Sequence, residues 1–291
     1  MTKYVVAVSG GVDSVVLLKM LTKKELKSYS NSEFVVAHFD HGIRSDSTED
    51  EAFVSNLAKV CQFDYSKKRE ELGQNVSEEY ARERRYKFLR EVMREHGAKA
   101  ILTAHHLDDV IETIAMNLER GTGWRGLAVL DSPDVERPLL HMTKVEILDY
   151  AKRHDLIWHE DSTNSSDKYL RNRYRKRLRA MDDETKREFY DFYMRQMDIK
   201  RQVHGESQKY VDFEAPSRHF FIMSPVKEAT EVLRVYLEQT TSKRFTRPQL
   251  AQALLAVKTL PAGKKYEVGA GVYIVMKKKT FTVNQVDQAN S

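Results

Sequence analysis

A β-branched run, Tyr4 to Val8, ends in the hexapeptide SGGVDS (residues 9–14), and an apolar pattern resumes at once with Val15, Leu18, Leu21 and Leu26. A strand that closes on small residues and opens a helix narrows the fold more than any other feature of this chain. Main-chain N–H groups at the helix start converge on one point, and the helix dipole adds partial positive charge there. Gly10 and Gly11 let the backbone approach an anion closely, because no side chain intervenes. Ser9 and Ser14 can donate hydroxyl hydrogen bonds, and Asp13 can act through a metal ion. The loop lacks the lysine and the spacing of a Walker A loop, and it is not the dinucleotide pattern G-x-G-x-x-G. A plain glycine turn is the alternative, but the strand-to-helix setting of the hexapeptide favours a phosphate cradle.

The segments that follow alternate. "FVVAHF" (34–39) reads as a buried strand, and Glu49 to Val60 as a helix with Phe53, Leu57 and Val60 on one face. "FDYSK" reads as a third strand, Ser77 to His96 as a charged helix, Ala100 to Ala104 as a fourth strand and Asp109 to Leu118 as its helix. This alternation predicts an α/β fold: a parallel sheet with right-handed crossovers, covered on both faces. Ligands of such sheets sit beyond the carboxyl ends of the strands. There the chain carries three polar segments, Ser9 to Ser14, Asp40 to Arg44 and His105 to Glu112.

The second half has a different texture. An amphipathic helix is expected from Met142 to His154, followed by a polar loop and the basic run RNRYRKRLR (171–179). Residues 182–209 carry Phe189, Tyr193 and Met197 four apart, which suggests a helix joining two bodies. The boundary is placed near residue 200, giving domains 1–200 and 201–291. In the second, Ser224 reads as an N-cap with Pro225 at the first helical position, and Thr246 with Gln249 as a capping box. Strand-like runs around a glycine turn close the chain, so this part is expected to be a small α+β module.

Length and composition set limits on function. The 291 residues suit two domains with a proper core. Cys61 is the single cysteine, which excludes an intrachain disulfide, a thiolate zinc cluster and a cysteine-held iron–sulfur cluster. A net charge of +5 permits a polyanionic partner without requiring one. The N-terminus does not read as a secretory signal and no segment reads as a membrane span, so a cytoplasmic location is expected.

Asp109 and Glu112 fall at i and i+3 of a helix start, where their carboxylates share one side of the first turn. Beside a phosphate site such a pair can bind an ammonium group or magnesium, while a capping box made by the two is the structural alternative. His105 and His106, adjacent at a strand end, point to opposite faces, so at most one addresses the site. In the basic run, Leu170, Tyr174 and Leu178 mark a buried stripe with the cations elsewhere; taken alone, that is a solvated face.

SGGVDS behind an N-terminal strand is similar to the signature of the PP-loop ATP pyrophosphatases, which cleave ATP between the α and β phosphates. Within that superfamily, "TAHHLDDVIETIAMNLERGTGWRGL" (103–127) resembles the "HH-x-DD-x-x-ET … RG-x-G-x-x-GL" pattern of the tRNA(Ile)-lysidine synthetase family. "AHFDHGIRSDSTEDEAFV", "ARERRYKFL" and "RPLL … DSTN … RNRYR" resemble further landmarks of that family, in the same order, over about residues 4 to 180. Val110 stands where the family usually has glutamine, and "GLAVL" replaces its usual "GL-x-GM"; neither change removes a charged group.

The resemblance implies a PP-loop domain of the adenine nucleotide alpha hydrolase-like fold, a helical linker and a small C-terminal tRNA-binding module. It implies a ligase using ATP and Mg2+ that joins free lysine to C2 of the wobble cytidine of the CAU-anticodon isoleucine tRNA. Carried over, Ser9, Gly10, Gly11, Val12, Asp13 and Ser14 would bind ATP phosphates, with Mg2+ at Asp13, and His38 would lie near the adenine. Asp40, Asp109 and Glu112 would hold lysine and serve catalysis, and Arg85 would steady developing negative charge. Arg171, Asn172 and Arg175 would contact tRNA, and homodimers occur in the family. The rivals are a tRNA thiolase, disfavoured by the lone Cys61, an NAD or GMP synthetase, disfavoured by DD-x-x-ET and RNRYR, and a non-catalytic RNA-binding relative.

Overall fold

The computed structural model describes residues 1–42, 47–73, 76–159, 174, 175, 177, 178 and 180–286. The chain divides into two compact units, Met1–Gln196 and Met197–Ser291. Among the described residues no helix is long and apolar enough to cross a membrane.

The first unit is built on five parallel strands: β1 (Thr2–Ala7), β2 (Ser32–Asp40), β3 (Asp64–Arg69), β4 (Ala100–Leu102) and β5 (Val135–Glu136), in the order β3-β2-β1-β4-β5. The chain first winds outward from β1 to β2 and β3, then crosses back to pair β4 on the other side of β1. The crevice where the winding reverses lies at the carboxyl ends of β1 and β4, which puts SGGVDS and the HHLDD segment beside each other.

Alternate residues of the apolar runs enter different cores. Val6, Val36 and Leu102 face helices α1 (Val12–Thr22), α2 (Ser47–Cys61) and α5 (Lys144–Arg153) through Leu17, Val54 and Ile147. Val5, Val35 and Ile101 face helix α3 (Glu78–Glu95) through Leu89 and Val92. Both faces are therefore covered, which is why the strands read as unbroken apolar runs. Helix α1 stops at Thr22, short of the expected Leu26, because Lys24 takes a left-handed conformation (φ +58°). β5, only two residues long, offers no period and escapes sequence reading.

Helix α3 is set against β3 by a forked ion pair in which Arg84 donates two 2.8 Å bonds to Glu70. That guanidinium, with Lys68, holds the Glu70 carboxyl down to about 2, well below its ordinary 4.5. A carboxyl depressed in the folded state stabilises above its unfolded pKa and loses that contribution as pH falls toward its folded one. Glu70→Gln is therefore expected to lower the melting temperature slightly at pH 7, and the gap from wild type should close between pH 4.5 and 2 in thermal melts.

Helices α4 (Leu107–Glu119) and α6 (Asp183–Gln208) complete the frame of the site. α6 buries Tyr193, whose hydroxyl donates to the Val129 carbonyl at 2.9 Å. Phe189, on the same face, packs with Leu107, Ile111 and Leu178.

The second unit holds helices α7 (Arg218–Met223), α8 (Val226–Thr241) and α9 (Arg247–Thr259) and an antiparallel sheet of β6 (Lys265–Gly269), β7 (Val272–Met276) and β8 (Phe281–Gln285). Leu233, Leu250, Val257, Ile274 and Phe281 lie in its core. The Thr246–Gln249 capping box is present. The Ser224 cap is not: Pro225, in extended conformation, is the N-cap of α8 and its carbonyl accepts from Ala229, while Ser224 closes α7. Proline's fixed φ suits the flanking position as well as the first helical one, so the sequence signal is one residue ambiguous.

Candidate functional site

The loop between β1 and α1 is held from within. Ser14 Oγ donates to the Gly11 carbonyl at 2.8 Å and accepts from the Ser9 amide at 3.3 Å, and the Gly11 amide donates to Ser9 Oγ at 3.4 Å. The Ser14 proton expected for a phosphate is therefore engaged in shaping the loop. No side chain caps α1, so its first N–H groups keep their capacity for an external acceptor.

The two glycines differ in purpose. Gly10 sits at φ +92°, where a side chain would be strained, and its missing Cβ would point at Phe53 and Val54 of α2 rather than at an anion. Gly11 has an ordinary conformation, and a Cβ there would meet Ser9 Oγ at 3.5 Å. The Gly10 carbonyl accepts from the His159 amide, and the His159 ring stacks on Phe53 and bonds Asp50 at 2.6 Å.

A cavity of about 420 Å³ opens at the carboxyl ends of the strands. Ser9, Asp13, Ser14, His38, Asp40, Arg85, His105 and Asp109 all line it. Arg85, carried on helix α3, is thus on the cavity wall. The carboxyl ends of β1, β2 and β4 bring together side chains that the sequence scatters over a hundred positions.

Each lining group is oriented by a neighbour. His38 is buried with Nδ1 2.8 Å from the Val8 carbonyl, so Nδ1 carries the proton and Nε2, without a partner among the described residues, is a hydrogen-bond acceptor. Asp40 accepts from the Gly42 amide at 2.8 Å through Oδ1, and Arg69 lies 3.4 Å from Oδ2. Burial lowers the His105 pKa far below its ordinary value; the Asp109 carboxylate opposes this, but Arg137, Arg82 and Arg85 push the same way as burial, so the ring is neutral. Its Nδ1 meets Thr103 Oγ1 at 2.8 Å.

His106 takes a different place. It is the N-cap of α4, buried between the loop acid and the helix acids, with Nε2 3.9 Å from Asp13 and 3.6 Å from Asp109. Only His105 of the pair lines the cavity, because the chain leaves β4 at Leu102 and the strand alternation ends there.

The carboxylates of α4 do not form a capping box with each other. Asp109, at the third helical position, accepts from the His106 amide at 3.0 Å. Glu112, one turn on, is 2% exposed and takes Arg175 Nε at 2.9 Å. A second nitrogen of Arg175 lies 4.0 Å from Asp109, so one guanidinium serves both acids. Glu112 therefore lies behind the cavity wall, and Arg175, expected as a tRNA contact, is turned in this structure onto the two carboxylates. Arg171 and Asn172 lie outside the described residues.

Sequence reasoning missed a cluster next to this site. Lys144 of α5 reaches Asp13, while Asp108 joins the Lys144 amide to the buried ammonium of Lys186. The sequence signal was the capping box of Thr143 and Glu146, which places Lys144 at a helix start but not beside a particular loop.

Among the described residues no three His, Cys, Asp or Glu side chains converge on a point where a metal could sit. A divalent cation here would depend on oxygens brought by a ligand, with Asp13 the protein group on the loop.

A parallel sheet with an uncapped helix start and small-residue loop at its switch point defines a phosphate-binding α/β domain, with carboxylates facing the same cavity. The chain belongs to the PP-loop domain family, whose profile matches residues 1–181. The tRNA(Ile)-lysidine synthase of Exiguobacterium sibiricum is 36% identical over 211 residues, 71% of this chain and 50% of that protein. That of Bacillus cereus is 41% identical over 186 residues, 59% of this chain and 38% of that protein. The chain thus spans about half the length, or less, of these relatives. Among solved structures, the U34-tRNA thiolase NcsA of Methanococcus maripaludis, with its [4Fe-4S] cluster, superposes with a TM-score of 0.57 at 22% identity, over 68% of this chain and 73% of that one. That likeness speaks for the fold alone.

Proposed function

We propose that this chain is a tRNA(Ile)-lysidine synthetase. The observation that carries the reading is a single cavity shared by the phosphate loop, the Asp40 and Asp109 carboxylates and the Arg85 guanidinium. ATP would lie with its phosphates against residues 9–14 and its adenine toward His38, whose Nε2 is set to accept from an exocyclic amino group. Any Mg2+ would ride on the phosphates, with Asp13 as its protein contact.

The C2 oxygen of the wobble cytidine attacks the α-phosphorus and pyrophosphate leaves, so the base becomes activated as its adenylate. The neutral amine of lysine then adds at C2, loses a proton to a carboxylate, and AMP departs with the C2 oxygen. Arg85 offsets charge growing on the phosphoryl oxygens. The product base pairs with adenine, so the tRNA reads AUA.

Asp40 and Asp109 on the cavity wall, with Glu112 behind it, supply the negative charge that selects a diamino acid. Arg175 already occupies part of that charge, so an arriving ammonium competes with it, which couples lysine binding to the tRNA-contacting set of Arg171, Asn172 and Arg175. The module 201–291 would take a further part of the tRNA. A cytoplasmic enzyme, active as a homodimer, fits these substrates.

The test is nucleoside analysis of an isoleucine tRNA transcript incubated with the protein, ATP and lysine. Lysidine should appear only when all three are present. Pyrophosphate release without any modified nucleoside, with lysine in excess, would show that the acceptor has been misread.

A further inference from the structure

The phosphate loop carries no lysine of its own, yet an ammonium stands against it. Lys144 Nζ lies 2.5 Å from Oδ1 of Asp13 and comes from a helix 131 residues further along the chain. Its side chain is about one-third exposed, as is that of Asp13, so the head of the lysine can shift by an ångström or two without a cost in burial.

The backbone of Lys144, in contrast, is fixed from several directions. Thr143, 1% exposed, caps α5 by accepting from the Glu146 amide, and Glu146 returns a bond to the Thr143 amide. The Leu107 amide donates to the Met142 carbonyl at 2.9 Å. Asp108 accepts from the Lys144 amide at 2.8 Å through Oδ2, and its Oδ1 lies 3.0 Å from Lys186 Nζ.

The Asp108–Lys186 pair is buried on both sides. Such a pair seldom stabilises a fold more than apolar residues of the same volume would, since removing both charges from water costs about what their attraction returns. Its chemical effect here is directional. It locks the Asp108 carboxylate, and through it the start of α5, in the position that sets Lys144 on the loop. Nothing else in the described structure uses Lys186.

We propose that Lys144 is the ammonium of the phosphate loop, held by Asp13 until polyphosphate arrives, and that Asp108 and Lys186 are positioning residues acting through it. This rests on the ATP-binding reading of the cavity and not on the identity of the acceptor. A lysine supplied from α5 leaves the tip of the loop to main-chain N–H groups while still offsetting the charge of a pyrophosphate leaving group.

The test is calorimetric titration of the full chain with ATP and magnesium. Lys144→Ala should weaken binding by roughly ten- to a hundredfold, the worth of a charge-assisted contact, whereas Lys144→Arg should stay within a few-fold of wild type. Asp108→Asn, which keeps the shape, and Lys186→Met should each weaken binding several-fold in the wild-type background and by nothing further in Lys144→Ala. Their effect on melting temperature should be the same in both backgrounds. Unchanged ATP affinity in Lys144→Ala, or additive losses in the double variants, would overturn the proposal. A wild-type chain that binds no ATP would overturn the nucleotide reading and this inference together, whereas ATP binding without lysidine formation would leave this inference standing.

Discussion

Asp109→Asn is expected to reduce lysidine formation about a hundredfold while changing stability by less than about 1 kcal/mol. The aspartate has two tasks that its two oxygens divide. Oδ2 accepts from the His106 amide and so closes the first turn of α4. Oδ1 lies 4.0 Å from Arg175, and the side chain lines the cavity. Asparagine retains an acceptor for the amide but no charge for an ammonium, and a hydrogen bond to a charged partner is worth about 1.5–3 kcal/mol. The loss should therefore appear in the lysine-dependent step, while ATP affinity stays within a few-fold. Asp109→Ala should add the cost of the lost cap, about 1 kcal/mol, to the same loss of activity. Steady-state assays with lysine as the varied substrate check this. Wild-type lysine kinetics in Asp109→Asn would remove Asp109 from the lysine site and leave the cap as its whole purpose.

What the sequence discloses follows from how local the cause is. SGGVDS is legible because its chemistry is local: one residue at positive φ, small side chains, and a helix start without a cap. The parallel sheet is legible because strands covered on both faces read as unbroken runs of valine and phenylalanine. Asp108 and Asp109 show where locality ends. They are adjacent and identical in type, yet a rotation of about 100° per residue sends one to Lys186 and the other to the cavity. The dipeptide says nothing about which is which. Arg175 makes the same point, since helical spacing finds the buried Leu178 beside it but not the turn of its guanidinium onto Glu112. Lys144 is invisible for a further reason: its partner, Asp13, lies in the first turn of α1, and only the packing of α5 on α1 in the folded sheet brings the two together.

Arg218→Met is expected to destabilise the second unit by about 3 kcal/mol or more. Arg218 is buried at the start of α7, and its guanidinium donates to three main-chain carbonyls: Val257 at 2.8 Å, Leu260 at 2.7 Å and Lys277 at 3.1 Å. The first two belong to the end of α9, where carbonyls have no partner within the helix and the dipole favours a cation. The third belongs to the turn between β7 and β8, and the Arg218 amide donates to Lys279 in the same turn. Methionine fills the stem's volume but leaves three carbonyls without a donor, at about 1–3 kcal/mol for each that water cannot reach. Lysine should recover only part, because an ammonium lacks the planar fork that spans α9 and the turn. The consequence reaches function through charge. Lys264, Lys265, Lys277, Lys278 and Lys279 are exposed at one end of this sheet, where Gly263 and Lys264 pair with Met276. With the turn untied, that group loses its fixed spacing. If the module takes tRNA phosphates as proposed, tRNA affinity in Arg218→Met should drop together with amide protection at residues 277–280. Hydrogen exchange at those amides, read beside thermal melts, separates a loosened turn from global unfolding, and wild-type protection there would show that the sheet holds the turn without the arginine.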